Sequence, residues 1–268
     1  MLQPIRICRE CTISHHKTIK NVKNAVLENE KNVPEGLSRS GREVLEDYVH
    51  KNVIKKPEDF VKLSRMAIPM AKFWKNTTVL TVSFMGGVKS VKERIKQHAI
   101  QWMDHANIEL KFVSNPKKPT IIRIGFDTND GSWSYLGTDN KTIEVNEPTM
   151  NYGWLFPETP DEEYHRTVLH EFGHALGCIH EHQNPAGGIP WDKEAAYAFY
   201  QQQGWSREEV DQQVFEKYSG DLVRAGKVDK KSIMMYSIPN SITLGNYEVG
   251  WNNELSATDK KYIRAVYK

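Results

Sequence analysis

Five of the ten histidines in this chain fall within one short stretch, at His165, His170, His174, His180 and His182. The centre of the stretch reads His170-Glu171-Phe172-Gly173-His174-Ala175-Leu176-Gly177-Cys178-Ile179-His180. On a helix, His170 and His174 stand one turn apart on the same face, so both imidazoles can reach one ion. Glu171 follows the first of them, placed to meet a water on the metal and not the metal itself. Gly177 lacks a Cβ and can take the left-handed conformation that ends a helix. The chain can then turn back and deliver His180 as a third ligand. Three neutral imidazoles leave a fourth position open on zinc, the mark of a catalytic site and not of a closed structural one. Water at such a position is acidified to a pKa of about 7, and Glu171 can take its proton as it attacks a carbonyl.

The 268 residues suffice for one sizeable core, or for one domain with an appendage. A net charge of +2 argues against a nucleic-acid partner held by phosphate neutralisation. No stretch has the apolar length needed to span a bilayer. The first residues carry Arg6 and Arg9 but no apolar core, so they do not read as a secretory signal. Retention in the cell, export by another route and prior processing all stay open. Three cysteines allow at most one internal disulfide, so stability must come from packing and from a metal.

Residues 1–72 read as a helical extension. Val44, Leu45, Tyr48 and Val49 share one helix face, Ser40 is placed to cap that helix, and Pro34, Pro57 and Pro69 divide the segment. Beyond Thr77 the pattern changes: Leu80, Val82 and Phe84 alternate with their neighbours as in a strand, which Gly86-Gly87 ends. Val88, Val91, Ile95, Ala99, Trp102 and Ala106 then recur at helical spacing. Strands are expected over 108–113, 120–126, 131–137 and 142–145. Thr159, with Pro160 at the first helical position and Glu162 after it, reads as the capped start of a helix running to Gly177. Further helices are expected over 192–203, 206–217 and 258–267, the second opened by a Ser206/Glu209 capping box. A strand, a helix and then several strands predict an α+β fold, a mixed sheet with a helix packed on it.

The long motif over 170–180 resembles the zinc signature of the metzincin metallopeptidases, and Glu181 after the third histidine resembles their astacin-like group. Ser232-Ile233-Met234-Met235-Tyr236 is similar to the methionine-containing turn of that group. The resemblance places Met234 beneath the metal as an apolar floor. It gives Tyr236 the role of a tyrosine that can ligate zinc at rest and swing to stabilise an oxyanion. Gly131-Ser132-Trp133-Ser134-Tyr135-Leu136-Gly137 resembles the upper-rim edge strand, so Trp133, Ser134, Tyr135 and Leu136 are the expected substrate-binding residues. An edge strand carries unpaired backbone groups to which an extended peptide can add. Residues 255–260 resemble the closing element of bacterial and fungal relatives.

The likeness covers about 73–268 and implies a zincin-like catalytic domain. Its expected parts are a mainly parallel twisted sheet, an active-site helix (upper subdomain 73–177) and a mostly helical or irregular lower subdomain (178–268). The implied activity is that of a zinc-dependent endopeptidase with one catalytic ion and protein or peptide substrates. The chain is expected to be a monomer. The resemblance favours secretion. A catalytically silent binding protein on the same scaffold is the alternative, and it would be favoured had Glu171 or a histidine ligand been lost.

The chain also departs from the group. Animal astacins carry disulfides within the catalytic domain, where this chain has only Cys178. Their aspartate-bearing prosegment motif is not recognisable in residues 1–72, which read as an inhibitory prosegment or a docking module. Glu181 is expected to make a structural salt bridge instead of receiving a new N-terminus. Cys178 is expected to face the core, while His165 and His182 lie around the site or at the surface. Cys8 and Cys11, followed by His15-His16, are open to four readings: inert thiols, a second metal site, a short-range disulfide, or a thiolate plug on the zinc.

Overall fold

The computed structural model describes residues 8–11, 15–33, 37–56, 59, 72–114, 116–217 and 227–268. Its sheet has the strand order β1-β5-β6-β4-β2-β3. The strands are β1 (Arg9–Cys11), β2 (Val79–Phe84), β3 (Glu109–Phe112), β4 (Ile122–Gly125), β5 (Ser132–Tyr135) and β6 (Met150–Tyr152). β2 pairs in parallel with β3 and β4, and β4 with β6; β5 runs antiparallel to β6, and β1 runs parallel to β5. Leu80 and Val82 on β2 and Ile122 and Ile124 on β4 are fully buried, so the central strands have both neighbours and a covered face.

Two helices cover the sheet, α3 (Lys89–Ala99) and α4 (Asp161–Ala175). Val91 and Ile95 of α3 face the core, and Trp102 in the tight turn after it donates from its indole to the Leu169 carbonyl of α4 at 3.0 Å. Arg94 reaches Asp161 at 3.0 Å and ties the two helices near the start of α4. A second apolar cluster forms around Tyr200, Trp205, Val210, Ile238 and Ile242. It gathers α5 (Lys193–Gln201), α6 (Arg207–Val210) and the loop beyond the methionine turn. The final helix, α7 (Ala257–Val266), returns to the main core through Ile263 and Val266.

The N-terminal region adds α1 (His15–Glu28) and α2 (Arg39–Lys51), joined by a small cluster of Val22, Leu45 and Val49. Its seam with the rest is polar. Asn32, 1% exposed, donates to the carbonyls of Ala25 and Phe73 and accepts from the Phe73 amide. Glu28 accepts from the Lys75 amide at 3.2 Å and from the Lys141 ammonium.

Burial pulls the Glu28 carboxyl up, but the Lys141 and Lys75 contacts outweigh it and hold the group below its ordinary range. A carboxylate with a depressed folded pKa stabilises above its unfolded pKa, and that stabilisation is lost as pH falls through the folded value. Docking of α1 should therefore weaken on acidification below the ordinary carboxylate range. Glu28→Gln should remove that pH dependence, and amide exchange in α1 measures both.

Several expected boundaries move. The cap of α2 is Ser38, whose hydroxyl accepts from the Gly41 amide, and Ser40 lies inside the helix. No strand forms over 142–145: the guanidinium of Arg123 takes the carbonyls of Ile143, Glu144 and Glu147, which a strand would have offered to a neighbour. The strand that completes the sheet is β6. Thr159 does not cap α4, because its hydroxyl donates to the Trp154 carbonyl and accepts from the Phe156 amide. The acidic first turn of Asp161, Glu162 and Glu163 complements the helix N-terminus instead. The Ser206/Glu209 capping box is present as expected. Pro34, Pro57 and Pro69 lie outside the described residues. Among the described residues, no helix is long and apolar enough to cross a membrane.

Candidate active site

α4 is buried along its length from Tyr164 onward, apart from His165. It carries Gly173 where a side chain could not fit: a Cβ there would stand 2.4 Å from the Met234 sulfur and 3.2 Å from the Trp102 ring. The helix thus lies directly on the methionine turn, and Met234, 3% exposed, is its apolar floor. Gly177 adopts φ +95°, and the amides of Gly177 and Cys178 bond back to the carbonyls of His174 and Gly173. That reversal, with the Glu181 amide bonded to the Met234 carbonyl at 3.0 Å, fixes where His180 stands.

His170, His174 and His180 come together, with one ligand atom from each lying within 4.8 Å of the others. His170 donates from Nδ1 to the Ile233 carbonyl at 2.8 Å, and His174 donates from Nδ1 to the Cys178 carbonyl at 2.8 Å. A carbonyl can only accept, so in both rings Nδ1 carries the proton and Nε2 keeps its lone pair for a metal. The Nε2 atoms of His174 and His180 are 3.1 Å apart. Two nitrogens at about 2.0–2.1 Å on a tetrahedral zinc would stand about 3.3 Å apart. The His170 Nε2 is buried without a hydrogen-bond partner. Burial, followed by the neighbouring histidines, pushes His170 and His180 well below the ordinary imidazole range, and burial brings His174 to about 4. Neutral imidazoles with converging lone pairs fit a zinc ion.

Glu171 is 0% exposed, and burial raises its carboxyl to about 8 against the opposing pull of the Cys8 thiol and Arg166. Tyr236 has its ring centroid 4.4 Å from His180 and 4.2 Å from His182. Its hydroxyl donates to the backbone carbonyl of Cys8. Trp133, Ser134 and Tyr135 form β5 and Leu136 follows it. The outer edge of β5 is covered by the chain's own β1, in parallel register with Arg9 opposite Trp133 and Cys11 opposite Tyr135.

The structure also brings in groups that no local pattern signalled. Asp259, at the start of α7, accepts from the Ser232 hydroxyl at 2.7 Å and the Ile233 amide at 2.8 Å. It thereby fixes the carbonyl that orients His170. The Ser256/Asp259 capping box is visible in the sequence, but its second role depends on a partner far along the chain. Arg166 lies one turn before His170, paired with Glu163 at 2.7 Å and stacked on Trp251.

Among the described residues, Glu181 makes hydrogen bonds and not the expected salt bridge: Oε1 accepts from the Asp229 amide and the Asn184 amide group. The reason is local, since both donors sit in the loops packed on it and burial raises its carboxyl. Cys178 faces the main core as expected. His182 is buried against the Gln213 carbonyl, and His165 contacts Gln101.

The arrangement agrees with solved structures. A structure of myroilysin matches with a TM-score of 0.71 and 45% identity, over 73% of this chain and 95% of that one. A second myroilysin crystal structure gives a TM-score of 0.58 at the same identity, over 73% and 86%. High choriolytic enzyme 1, a hatching-enzyme zinc protease of the medaka fish Oryzias latipes, aligns at 18% identity over 73% and 94%, with a TM-score of 0.48. No family model and no curated protein matches the chain. With a zinc-fitting histidine triad on such a scaffold, the chain belongs to the astacin-like metzincins and is a zinc metalloendopeptidase.

Proposed function

We propose that this enzyme cleaves extended segments of proteins or peptides laid along β5, with Glu171 as general base and Tyr236 as the oxyanion donor. One observation carries the reading. A three-residue strand, β1, already lies on β5 in extended form, and the chain running into it meets the histidine cluster at Cys8. An edge that accepts one extended peptide in register offers the same backbone groups to another.

Zinc, when bound by His170, His174 and His180, supplies the Lewis acid that activates water and polarises the scissile carbonyl. Glu171 takes the proton of the attacking water and returns it to the leaving amine. Its burial favours this exchange, because a carboxylate stripped of solvent is a stronger base. The Tyr236 hydroxyl donates to a peptide carbonyl in the cleft, the type of contact that stabilises a developing oxyanion. The Ile233 and Cys178 carbonyls hold the His170 and His174 imidazoles in place.

Residues 1–72 fit an inhibitory prosegment better than a docking module, since β1 covers the edge that substrate would need. The test is cleavage of a proteome-derived peptide library by the chain after removal of residues 1–71, which leaves the Lys72–Asp139 ion pair in place. Cuts inside extended peptides, abolished by a chelator and restored by zinc, are expected. Metal bound stoichiometrically with no cleavage of any peptide would favour the silent binding protein instead.

A further inference from the structure

We infer that His182 is a positioning residue for Tyr236, its ring pressed against the phenol so that the hydroxyl stays where an oxyanion develops. The inference rests on the proposed role of Tyr236 and names the group that keeps it in place.

Tyr236 is wedged between two imidazoles. Its ring centroid is 4.2 Å from that of His182 at an interplanar angle of 32°, and 4.4 Å from that of His180 at 62°. Aromatic pairs usually stand about 4.5–7 Å apart, so the phenol has little slack on these two sides. His180 belongs to the histidine triad, and His182 lies outside it. His182 is 1% exposed, yet only one of its nitrogens is bonded among the described residues. Nε2 donates to the Gln213 carbonyl at 2.8 Å, while Nδ1 is buried with no hydrogen-bond partner. A buried polar atom left unpaired costs stability. Phenylalanine would avoid that cost but could not be tethered to Gln213. The tether sets the plane of the ring that faces Tyr236.

The anchor is itself unusual. Gln213 lies in a π-helical turn, Asp211–Phe215, that continues α6. Such turns are rare and concentrate at functional sites. The last carbonyls of a helical run find no partner within it. Here the Gln212 carbonyl accepts from the Gln183 side-chain amide at 2.9 Å, and the Gln213 carbonyl accepts from His182. Val210 and Val214 of the same run pack in the apolar cluster that contains Tyr236. The contacts therefore run from a buried helix end, through one carbonyl, to His182 and on to the phenol. A preorganised donor stabilises an oxyanion because it is held in place before the charge develops. Loss of the His182 ring should accordingly fall on kcat and spare KM.

The experiment uses the full zinc-loaded chain as wild type, His182→Gln, His182→Phe, Tyr236→Phe and the Tyr236→Phe/His182→Gln double variant. Glutamine keeps a donor for the Gln213 carbonyl and discards the ring; phenylalanine keeps the ring and discards the donor. The first readout needs no activity: ring flipping by NMR of carbon-13-labelled tyrosines, with the Tyr236 signals identified by their loss in Tyr236→Phe. Flipping of Tyr236 should quicken at least tenfold in His182→Gln and by less in His182→Phe. The fully buried Tyr200 ring should not change. The second readout is peptide cleavage after the N-terminal segment has been removed by limited proteolysis of the folded chain. In His182→Gln, kcat should fall at least tenfold, with KM within twofold and zinc still at one per chain; His182→Phe should lose less. In the Tyr236→Phe background the same change should alter kcat less than twofold. An unchanged kcat in His182→Gln overturns the inference, as does an unchanged flipping rate. So does an equal loss in both backgrounds, because the effect then does not pass through the hydroxyl, and so does loss of zinc, which would place it at His180. A wild-type kcat in Tyr236→Phe removes the oxyanion role on which the inference rests. Absence of cleavage by every form, with flipping still quickened in His182→Gln, overturns the metallopeptidase reading and leaves the ring contact standing.

Discussion

Glu171→Gln in the chain freed of residues 1–71 should lower kcat for peptide cleavage by about 10²–10⁴-fold, the usual contribution of a positioned acid–base group. At 1.36 kcal/mol per decade, that loss corresponds to about 3–5.5 kcal/mol of transition-state stabilisation. Glutamine keeps the shape of the side chain and cannot accept the proton, so KM should change little. Zinc content should stay at one per chain, because the ligands are His170, His174 and His180. Stability separates this outcome from simple misfolding. Glu171 is fully buried, and burial raises its carboxyl to about 8, so its charged form is costly. The neutral amide should leave the melting temperature unchanged or higher. Loss of activity with a stable, metal-loaded protein identifies a chemical role; retained kcat would remove Glu171 from the mechanism.

The second large effect concerns the junction between the N-terminal region and the catalytic sheet. Gly137→Ala should destabilise the protein by about 3–5 kcal/mol, through backbone strain and overpacking together. Gly137 has φ +45°, a conformation that costs any residue with a Cβ. The added carbon would also stand 1.9 Å from the Lys72 carbonyl oxygen, an atom of the backbone that cannot swing aside. That carbonyl accepts the Thr138 amide at 2.9 Å, and the Lys72 ammonium, 2% exposed, pairs with Asp139 at 3.3 Å. Relieving the collision therefore means breaking a buried ion pair and a turn together. At roughly 2–4 °C per kcal/mol for a chain of this size, melting should fall by about 10 °C. Gly188 provides the control: nothing lies within 4 Å of a Cβ there, and alanine should shift stability by no more than about 0.5 kcal/mol. Equal effects at the two positions would contradict the strain argument.

The parts of the site legible in the sequence are those encoded over short spans. His170 and His174 share a helix face because of their spacing, and Gly177 turns the chain so that His180 can return. Met234 and Tyr236 were legible only through a resemblance, since a Met-Met-Tyr string by itself reads as core. What remained hidden depends on contacts between distant segments. Asp259 acts on His170 through the Ile233 carbonyl, and no local pattern encodes that relay. Thr159 has the sequence of a cap but finds partners in the loop before it. Residues 142–145 alternate like a strand, yet Arg123 claims their carbonyls, while the short β6 has too few residues to show a period. The sequence leaves Cys8 open to several readings, because its place beside His170 and Glu171 depends on the pairing of β1 with the distant β5.

The most direct measurement is anomalous diffraction at the zinc edge from crystals of the zinc-loaded protein. The account expects one peak per chain, about 2.0–2.1 Å from the Nε2 atoms of His170, His174 and His180. No peak at that position, or rings turned away from one another around it, would contradict the account at its base.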